Sequence, residues 1–132
     1  MSSLCVYISE LYQHSQAGSV ADAATAINNG ADVHWENAED DNSTALWVAS
    51  CNGHLAVAEM LVAAGANVNH KDSYNITALT GASYNGHLAV VKLLVENGAD
   101  ISIKTYEGRA LELAMLRNKV AVADYLRSRG AH

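Results

Sequence analysis

The chain has 132 residues, of which half are hydrophobic and 17% are charged, and its net charge is −6 at pH 7. This length suits one domain, this composition is too hydrophobic for a disordered chain, and no apolar run reaches the roughly 20 residues that cross a bilayer. Cys5 and Cys51 are too few for a disulfide framework or a zinc module, which is typical of a protein in a reducing compartment. We therefore expect a single intracellular domain, 1–132. Its expected location is the cytoplasm, with access to the nucleus and no membrane contact.

Two positions that hold glycine or asparagine recur along the chain at intervals of 32 to 35 residues. The first set is Gly18, Gly53, Gly86 and Asn118, and the second, 12 residues further on and always before alanine, is Gly30, Gly65, Gly98 and Gly130. Each of these residues suits the left-handed conformation that ends a helix. A fixed period in the low thirties predicts a solenoid of stacked repeats. The predicted units are 1–34, 35–68, 69–101 and 102–132, each with two helices followed by an extended finger.

The second unit shows why its segments should be helical. Thr44 can cap the first helix, because its hydroxyl can accept a hydrogen bond from an amide of the first turn. The second helix places Val57, Ala58 and Leu61 on one stripe at helical spacing. The fourth unit has Arg109 in place of the capping threonine and a finger that is one residue shorter, so we expect that end to be looser.

The first and last units each differ from the others at one outer position. Asp22 in the first unit and Arg127 in the last replace residues that are valine or isoleucine in the other units. The end faces of a solenoid need polar residues, because no further repeat covers them. These substitutions predict an N-terminal cap, a C-terminal cap and a finished array of four units.

The segment GANVNHKDSYNITALTGASYNGHLAVVKLLVENGAD, residues 65–100, resembles an ankyrin repeat, and the resemblance extends over essentially the whole chain. It implies an all-α fold, an ankyrin-repeat solenoid of four stacked helix-turn-helix units joined by β-hairpin fingers. The chain departs from the family pattern in having no proline, which alanine replaces near the start of each first helix. The histidine that ties down the loop in the family is replaced by Trp47, Thr80 and Glu112.

The resemblance implies a non-catalytic protein-binding module, a scaffold, adaptor or regulator that uses its finger tips and the exposed side of each first helix. Carrying these positions over gives a set of candidate partner-binding residues. They are Asp40, Asp41, Ser43, Cys51 and Asn52 in the second unit, Ser73, Tyr74, Ile76, Tyr84 and Asn85 in the third, and Thr105, Tyr106 and Arg117 in the fourth. Trp35 and Trp47 are added because tryptophan is enriched at binding hot spots.

Three residues of this set, Tyr74, Tyr84 and Tyr106, are predicted to anchor the partner. An exposed tyrosine supplies a large contact area at a low cost in conformational entropy. The competing interpretation is that these tyrosines pack against neighbouring fingers, and that Trp35 and Trp47 pack locally as well.

Charge is distributed unevenly along the chain. Residues 1–70 contain eight acidic residues and no Lys or Arg, whereas residues 71–132 carry a net charge of +2. The long first finger, HWENAEDDNST, holds Glu36, Glu39, Asp40 and Asp41. Because such an asymmetry steers molecular encounters, we expect a partner protein with a basic surface. Nucleic acid is not expected, since phosphate binding needs clustered Lys and Arg.

The sequence holds no motif for catalysis or metal binding. It has no Cys-x-x-Cys pair, no His-Glu pair at metalloprotease spacing, no phosphate-binding glycine loop and no nucleophile elbow. His54 and His87 match turn residues of the family, which bond across repeats. We therefore expect no enzyme activity and no cofactor.

Two alternatives stay open. The stretch GADVHWENAEDDNST, residues 30–44, resembles the ankyrin segment behind the zinc-finger domain of centaurin-type Arf GTPase-activating proteins, which would make the chain an excised module of a larger signalling protein. Nothing of that catalytic domain is present in the sequence, so its activity is not carried over. The other alternative is a structural stack that self-associates through its exposed tyrosines, in place of the expected monomer.

Overall fold

The computed structural model describes the backbone of residues 3–131 and the side chains of residues 10–131. The side chain of Cys5 and the outermost residues of the first and last units lie outside the described residues. The helices of the described range are α1 Ser3–Ala17, α2 Val20–Asn28, α3 Ala45–Cys51, α4 Leu55–Ala63, α5 Ala78–Asn85, α6 Leu88–Glu96, α7 Ala110–Leu116 and α8 Val120–Ser128. None of them combines the length and the apolar character that a membrane span requires.

The helices form four consecutive pairs that stack side by side. Each first helix contacts the second helix of its own pair. The first helices α1, α3, α5 and α7 contact one another in that order, and so do the second helices α2, α4, α6 and α8. Each pair therefore packs against the next pair along the chain, which is the arrangement of a solenoid. The all-α solenoid predicted from the sequence is confirmed.

One hydrophobic core runs along the whole stack. It includes a series of leucines that are each at most 1% exposed: Leu11, Leu46, Leu61, Leu79, Leu94 and Leu126. Full burial of one leucine side chain contributes about 1.5–3 kcal/mol, so every helix pair is held to its neighbours mainly by apolar contact. Asp22 and Arg127 are exposed, as predicted for residues on the two outer faces.

The turn between the two helices of a pair depends on a residue with positive φ. Gly53 has a φ of 77° and Asn118 a φ of 58°, so the left-handed conformation predicted at this position is confirmed. A β-carbon on Gly53 would also lie 2.6 Å from Nδ1 of His87. His87 donates from Nε2 to the Cys51 carbonyl at 3.0 Å, and His54 makes the same bond to the first pair. The two histidines therefore join consecutive pairs, as predicted.

Polar side chains begin the first helices. Thr44 and Thr77 each accept a hydrogen bond from the amide three residues along, at 3.2 Å, which confirms the predicted cap at Thr44. In α7 the carboxylate of Glu112 accepts instead from the backbone amide of Arg109, at 3.1 Å. Glu112 thus supplies part of the missing cap, and the looser end expected from Arg109 stays a prediction.

The fingers are closed turns and not the predicted β-hairpins. In the described range their strands are reduced to isolated bridges, Asn37 with Ser43 and Thr105 with Gly108. The cause is local, because Asn37, Asp72 and Thr105 each use a side-chain oxygen to accept the amide two residues along. Side-chain acceptors of this kind compete with a strand ladder, so each finger becomes a compact turn that presents its tip.

Candidate partner-binding groove

A groove of about 680 Å³ opens between the fingers and the first helices of the last three pairs. Its lining, mostly aromatic or apolar, is Trp47, Cys51, Tyr74, Ile76, Thr80, Gly81, Tyr84, Asn85, Thr105, Tyr106, Glu107 and Leu113. Most of these residues belong to the set predicted from the sequence; the exceptions are Thr80, Gly81, Glu107 and Leu113. We call this feature the aromatic groove, and its volume is in the range of protein ligand sites.

Two finger tips hold tyrosine rings at the groove. Tyr74 is 64% exposed and Tyr106 is 101% exposed. The buried carboxylate of Asp72 fixes the turn of Tyr74, since its Oδ1 accepts from the amides of Tyr74 and Ile76, both at 2.8 Å. Thr105 fixes the turn of Tyr106, because its hydroxyl donates across the turn at 2.7 Å. Tyr106 is therefore held out into solvent, and the interpretation that it packs against a neighbouring finger is wrong.

Tyr84 is the third predicted anchor, and it is half-buried. Arg117 of the next pair lies over it, with its guanidinium carbon 4.5 Å from the ring centroid and its Nη1 donating to the Tyr84 hydroxyl at 2.6 Å. Such a cation–π contact contributes about 0.5–1 kcal/mol at an exposed site. Tyr84 and Arg117, both predicted to bind a partner, thus bind each other while Tyr84 still lines the groove.

The floor of the groove, made of Trp47, Cys51 and Gly81, lies where α3 packs against α5. Trp47 is half-buried, and its indole Nε1–H is buried without an acceptor among the described residues. The sulfur of Cys51 fills the space that a β-carbon at position 81 would need. Burial raises the pKa of the Cys51 thiol to about 12, and the carboxylates of Asp72 and Asp40 add to the rise. Cys51 therefore stays protonated at neutral pH and serves as a packing group, not as a nucleophile.

Comparison with known families decides the classification of this fold. The family described as Ankyrin repeats (3 copies) matches residues 11–105, more than half of the chain. The chain belongs to the ankyrin repeat family. The matched segment contains α2 to α6 in full and ends in the third finger, so the assignment of α7 and α8 to a fourth ankyrin repeat stays a prediction.

The relatives of this ankyrin chain include much longer proteins. It is 40% identical over 63 residues to Arf-GAP with coiled-coil, ANK repeat and PH domain-containing protein 2 of Homo sapiens, over 48% of this chain and 8% of that protein. It is 39% identical over 62 residues to Arf-GAP with coiled-coil, ANK repeat and PH domain-containing protein 3 of Homo sapiens, over 47% of this chain and 7% of that protein. The likeness to these relatives thus concerns less than a tenth of their length.

Three predicted binding residues of the ankyrin chain lie outside the groove, in a cluster against α1. The hydroxyls of Tyr12 and Ser43 both donate to the Asp40 carboxylate, the second of them at 3.1 Å. The ring of Trp35 meets that of Tyr12 edge to face, with 5.7 Å between the centroids. Ser43 is fully buried, so the prediction that it faces a partner is wrong, and its role is to anchor the finger. Trp35 and Asp40 are half-buried in the same cluster.

Other predicted residues tie repeats or fingers together. Asn52 and Asn85 are exposed, but their side-chain amides donate to carbonyls of the preceding pair at 3.3 and 2.9 Å. The carbonyl of Asp41 accepts from the amide of Ser73 at 2.8 Å and so joins the first two fingers. Thr105 is only 7% exposed, so it supports the groove more than it offers a contact. Of these five residues, Asn85 and Thr105 line the groove.

Four groove residues are missing from the predicted set. Thr80 and Gly81 lie one helical turn before the predicted residues of α5, so helical periodicity could have found them. Glu107 directly follows a predicted finger-tip tyrosine. Leu113 is buried, and nothing in the surrounding sequence separates it from an ordinary core leucine.

The acidic first finger presents dispersed charges. Glu36, Glu39 and Asp41 are exposed, whereas Asp40 is bonded inside the Tyr12 cluster. In the part of the chain that the structure describes, no group of three or more His, Cys, Asp and Glu side chains is arranged to hold a metal ion. The exposed carboxylates therefore form a solvated acidic surface next to the groove-forming fingers.

Proposed function

We propose that this chain is a non-catalytic scaffold, adaptor or regulator that binds a partner protein in the aromatic groove. Ankyrin repeats are protein-interaction modules. The single observation that carries the choice of site is Tyr106, a wholly exposed aromatic ring at a preformed groove. Large aromatic side chains at such positions supply much of the binding energy of protein interfaces.

The groove is also supported by its rigidity. Asp72 and Thr105 close the two finger turns, and Arg117 holds the ring of Tyr84. A surface that is already in its bound shape loses little conformational entropy when a partner docks. The expected mode is therefore the docking of an extended segment or a helix along the fingers, without rearrangement of the stack.

The partner is proposed to have a basic surface. The first 70 residues carry eight acidic residues and no Lys or Arg, and Glu36, Glu39 and Asp41 of the first finger are exposed. Exposed charges of one sign raise the rate of encounter with an oppositely charged surface, and salt screens this effect. Association should therefore slow as ionic strength rises, while the lifetime of the complex, set by the groove, should change less.

The test compares three proteins as baits in cell lysate: the wild type, the Tyr74→Ala/Tyr106→Ala variant, and Leu116→Ala. Leu116 is a matched control, because it is 62% exposed but does not line the groove. We expect a partner that the wild type and the control retain and that the tyrosine variant binds at least about 30-fold more weakly. A partner retained equally by all three proteins would place the binding site outside the groove.

The Arf-GAP relatives favour a second candidate, in which the chain is the ankyrin module of a larger signalling protein. The supporting observation is the 40% identity over 63 residues. The activity named for those relatives is not proposed for this chain. Sequencing of the transcript tests the idea: a continuous reading frame with a zinc-finger domain ahead of these residues would support it, and an in-frame stop there would contradict it.

The chain is proposed to act as a monomer. Its exposed tyrosines could instead join copies of the chain into a self-associating stack. Light scattering over a wide concentration range separates the two ideas. A constant mass supports the monomer, whereas a mass that rises with concentration, and does so less in the Tyr74→Ala/Tyr106→Ala variant, supports self-association.

A further inference from the structure

We propose that the aromatic groove recognises its partner through a lysine or arginine side chain, which lies against the aromatic rings and next to the carboxylate of Glu107. This inference rests on the proposed function, because it names the chemistry of the segment that the groove takes. Three features carry it: aromatic faces that are free to receive a cation, a carboxylate without a counter-ion, and negative charge near the floor.

The groove offers free aromatic faces. Arg117 already lies 4.5 Å over Tyr84, which is the contact that the other rings would make with a partner. In the described part of the chain, no cation lies over Trp47, Tyr74 or Tyr106, which line the same groove. The face of an aromatic ring attracts ammonium and guanidinium groups, and tryptophan attracts them most strongly. The three free rings therefore suit a cationic side chain from outside.

Glu107 brings a carboxylate to the groove. Its amide donates to Thr105 Oγ1 at 3.2 Å, so the finger turn fixes its backbone. Its carboxylate has no Lys, Arg or His of the described residues within ion-pair distance, whereas Glu112 on the following helix pairs with Arg109 at 3.8 Å. Glu107 is exposed, so a partner can reach its carboxylate. A basic side chain of the partner would supply the missing counter-ion, and charge-assisted hydrogen bonds of this kind are stronger than neutral ones.

Two carboxylates also exert an electrostatic effect on the floor of the groove. Burial is the main cause of the raised pKa of the Cys51 thiol, and the carboxylates of Asp72 and Asp40 raise it further. The two carboxylates therefore act on the floor, where burial weakens the screening of charge. These carboxylates would repel a carboxylate of the partner and attract a basic side chain.

The experiment uses a positional-scanning library of blocked hexapeptides, in which one position at a time is fixed as lysine, arginine, norleucine or glutamate. Norleucine keeps the aliphatic stem of lysine without its charge. Binding to the nitrogen-15-labelled chain is followed by NMR, with the indole N–H of Trp47 and the amide of Glu107 as reporters. We expect at least one position where lysine or arginine binds about 10-fold more tightly than norleucine, in keeping with a desolvated cation–π contact and a charge-assisted pair.

Two variants locate the cation. Glu107→Gln keeps the shape of the side chain and removes its charge, so we expect the preference for lysine over norleucine to fall below about 3-fold while norleucine peptides bind as before. Glu96→Gln is the matched control, because Glu96 is exposed on α6 and does not line the groove. This control should leave the preference unchanged.

The outcomes separate this inference from the proposed function. Equal binding of lysine and norleucine peptides at every position, or no selection at all, would contradict the proposal that the groove binds a cationic side chain. A lysine preference that is unchanged in Glu107→Gln would also contradict the proposal, because the cation would then bind away from Glu107. If the Tyr74→Ala/Tyr106→Ala variant still loses its protein partner in either case, the groove remains the binding site and only its chemistry is wrong.

Discussion

The sulfur of Cys51 in α3 fills the space that a side chain on Gly81 of α5 would need. Gly81 lies within a helix, where glycine is about 1 kcal/mol less favourable than alanine. Its φ is not positive, so the backbone does not require glycine there. The reason is steric, because the two helices approach so closely that only a hydrogen atom fits over the thiol. This approach sets the spacing between Trp47 and Tyr84 on the two helices that shape the groove.

Gly81→Ala is therefore expected to destabilise the fold by about 1–3 kcal/mol, the usual cost of overpacking, in spite of the better helix propensity of alanine. Cys51→Ala removes the sulfur and leaves a β-carbon 3.7 Å from the new methyl group. In that background Gly81→Ala should be neutral or stabilise by up to about 1 kcal/mol. Urea unfolding of the four proteins measures the coupling, and simple additivity would show that the two residues do not interfere.

A second prediction compares two glycines with positive φ. Gly53 has a φ of 77° and a missing β-carbon that would lie 2.6 Å from the ring of His87. Gly65 has a φ of 93°, and its β-carbon would meet nothing within 4 Å. We expect Gly65→Ala to cost about 1–2 kcal/mol from backbone strain, and Gly53→Ala about 1–2 kcal/mol more because the displaced His87 loses its bond to Cys51.

Urea unfolding of these two variants supplies the measurement. The comparison is matched, since both changes add the same methyl group at a left-handed residue after a helix. Equal losses of unfolding free energy would mean that His87 moves aside without cost, and that its bond to the preceding pair adds little to the stack.

The parts of this fold that could be predicted from sequence have local causes. A threonine hydroxyl at Thr44 or a left-handed residue at Asn118 acts within one turn of helix. The repeat then fixes the order of the helices, because each pair can bury its apolar face only against the next. The finger-tip position of Tyr106 follows from the same register. The helices, the turns between them and the finger-tip positions could therefore be predicted without a structure.

The features that escaped prediction depend on contacts between distant parts of the chain. Ser43 occupies a finger-tip position in the repeat, but it is buried because its hydroxyl meets that of Tyr12, 31 residues earlier, at 2.8 Å. Position 81 must be glycine because of the sulfur of Cys51, which belongs to another repeat. None of these contacts leaves a periodic signal in the sequence.

Trp47 yields a prediction about the floor of the groove. Its indole Nε1–H is buried without an acceptor in the described part of the chain, and such a donor is unfavourable. Trp47→Phe removes the donor and keeps most of the apolar ring, so the free energy of unfolding should change by less than about 1 kcal/mol. Trp47→Ala should cost about 2–4 kcal/mol through lost packing. A loss with phenylalanine close to that with alanine, measured by urea unfolding, would contradict this prediction.

The last prediction concerns Tyr12, which fastens α1 to the acidic finger. Burial, and next the hydrogen bond to Asp40, raise the pKa of Tyr12 from 10.0 to about 12. The folded state thus holds the phenolic proton more tightly than the unfolded state does. The resulting stabilisation is complete below pH 10 and is lost as the pH rises from 10 to about 12.

Tyr12→Phe isolates this effect, because the two proteins differ only by the hydroxyl of residue 12. At neutral pH the variant should be less stable by about 1–2 kcal/mol, since the Asp40 carboxylate loses one donor. Between pH 10 and 12 the wild type should lose this advantage, so the two curves of unfolding free energy against pH should converge or cross. Urea unfolding at successive pH values provides both curves. A constant difference from neutral pH to pH 12 would show that folding does not tighten the hold on the Tyr12 proton, and that the cluster stabilises the finger by packing alone.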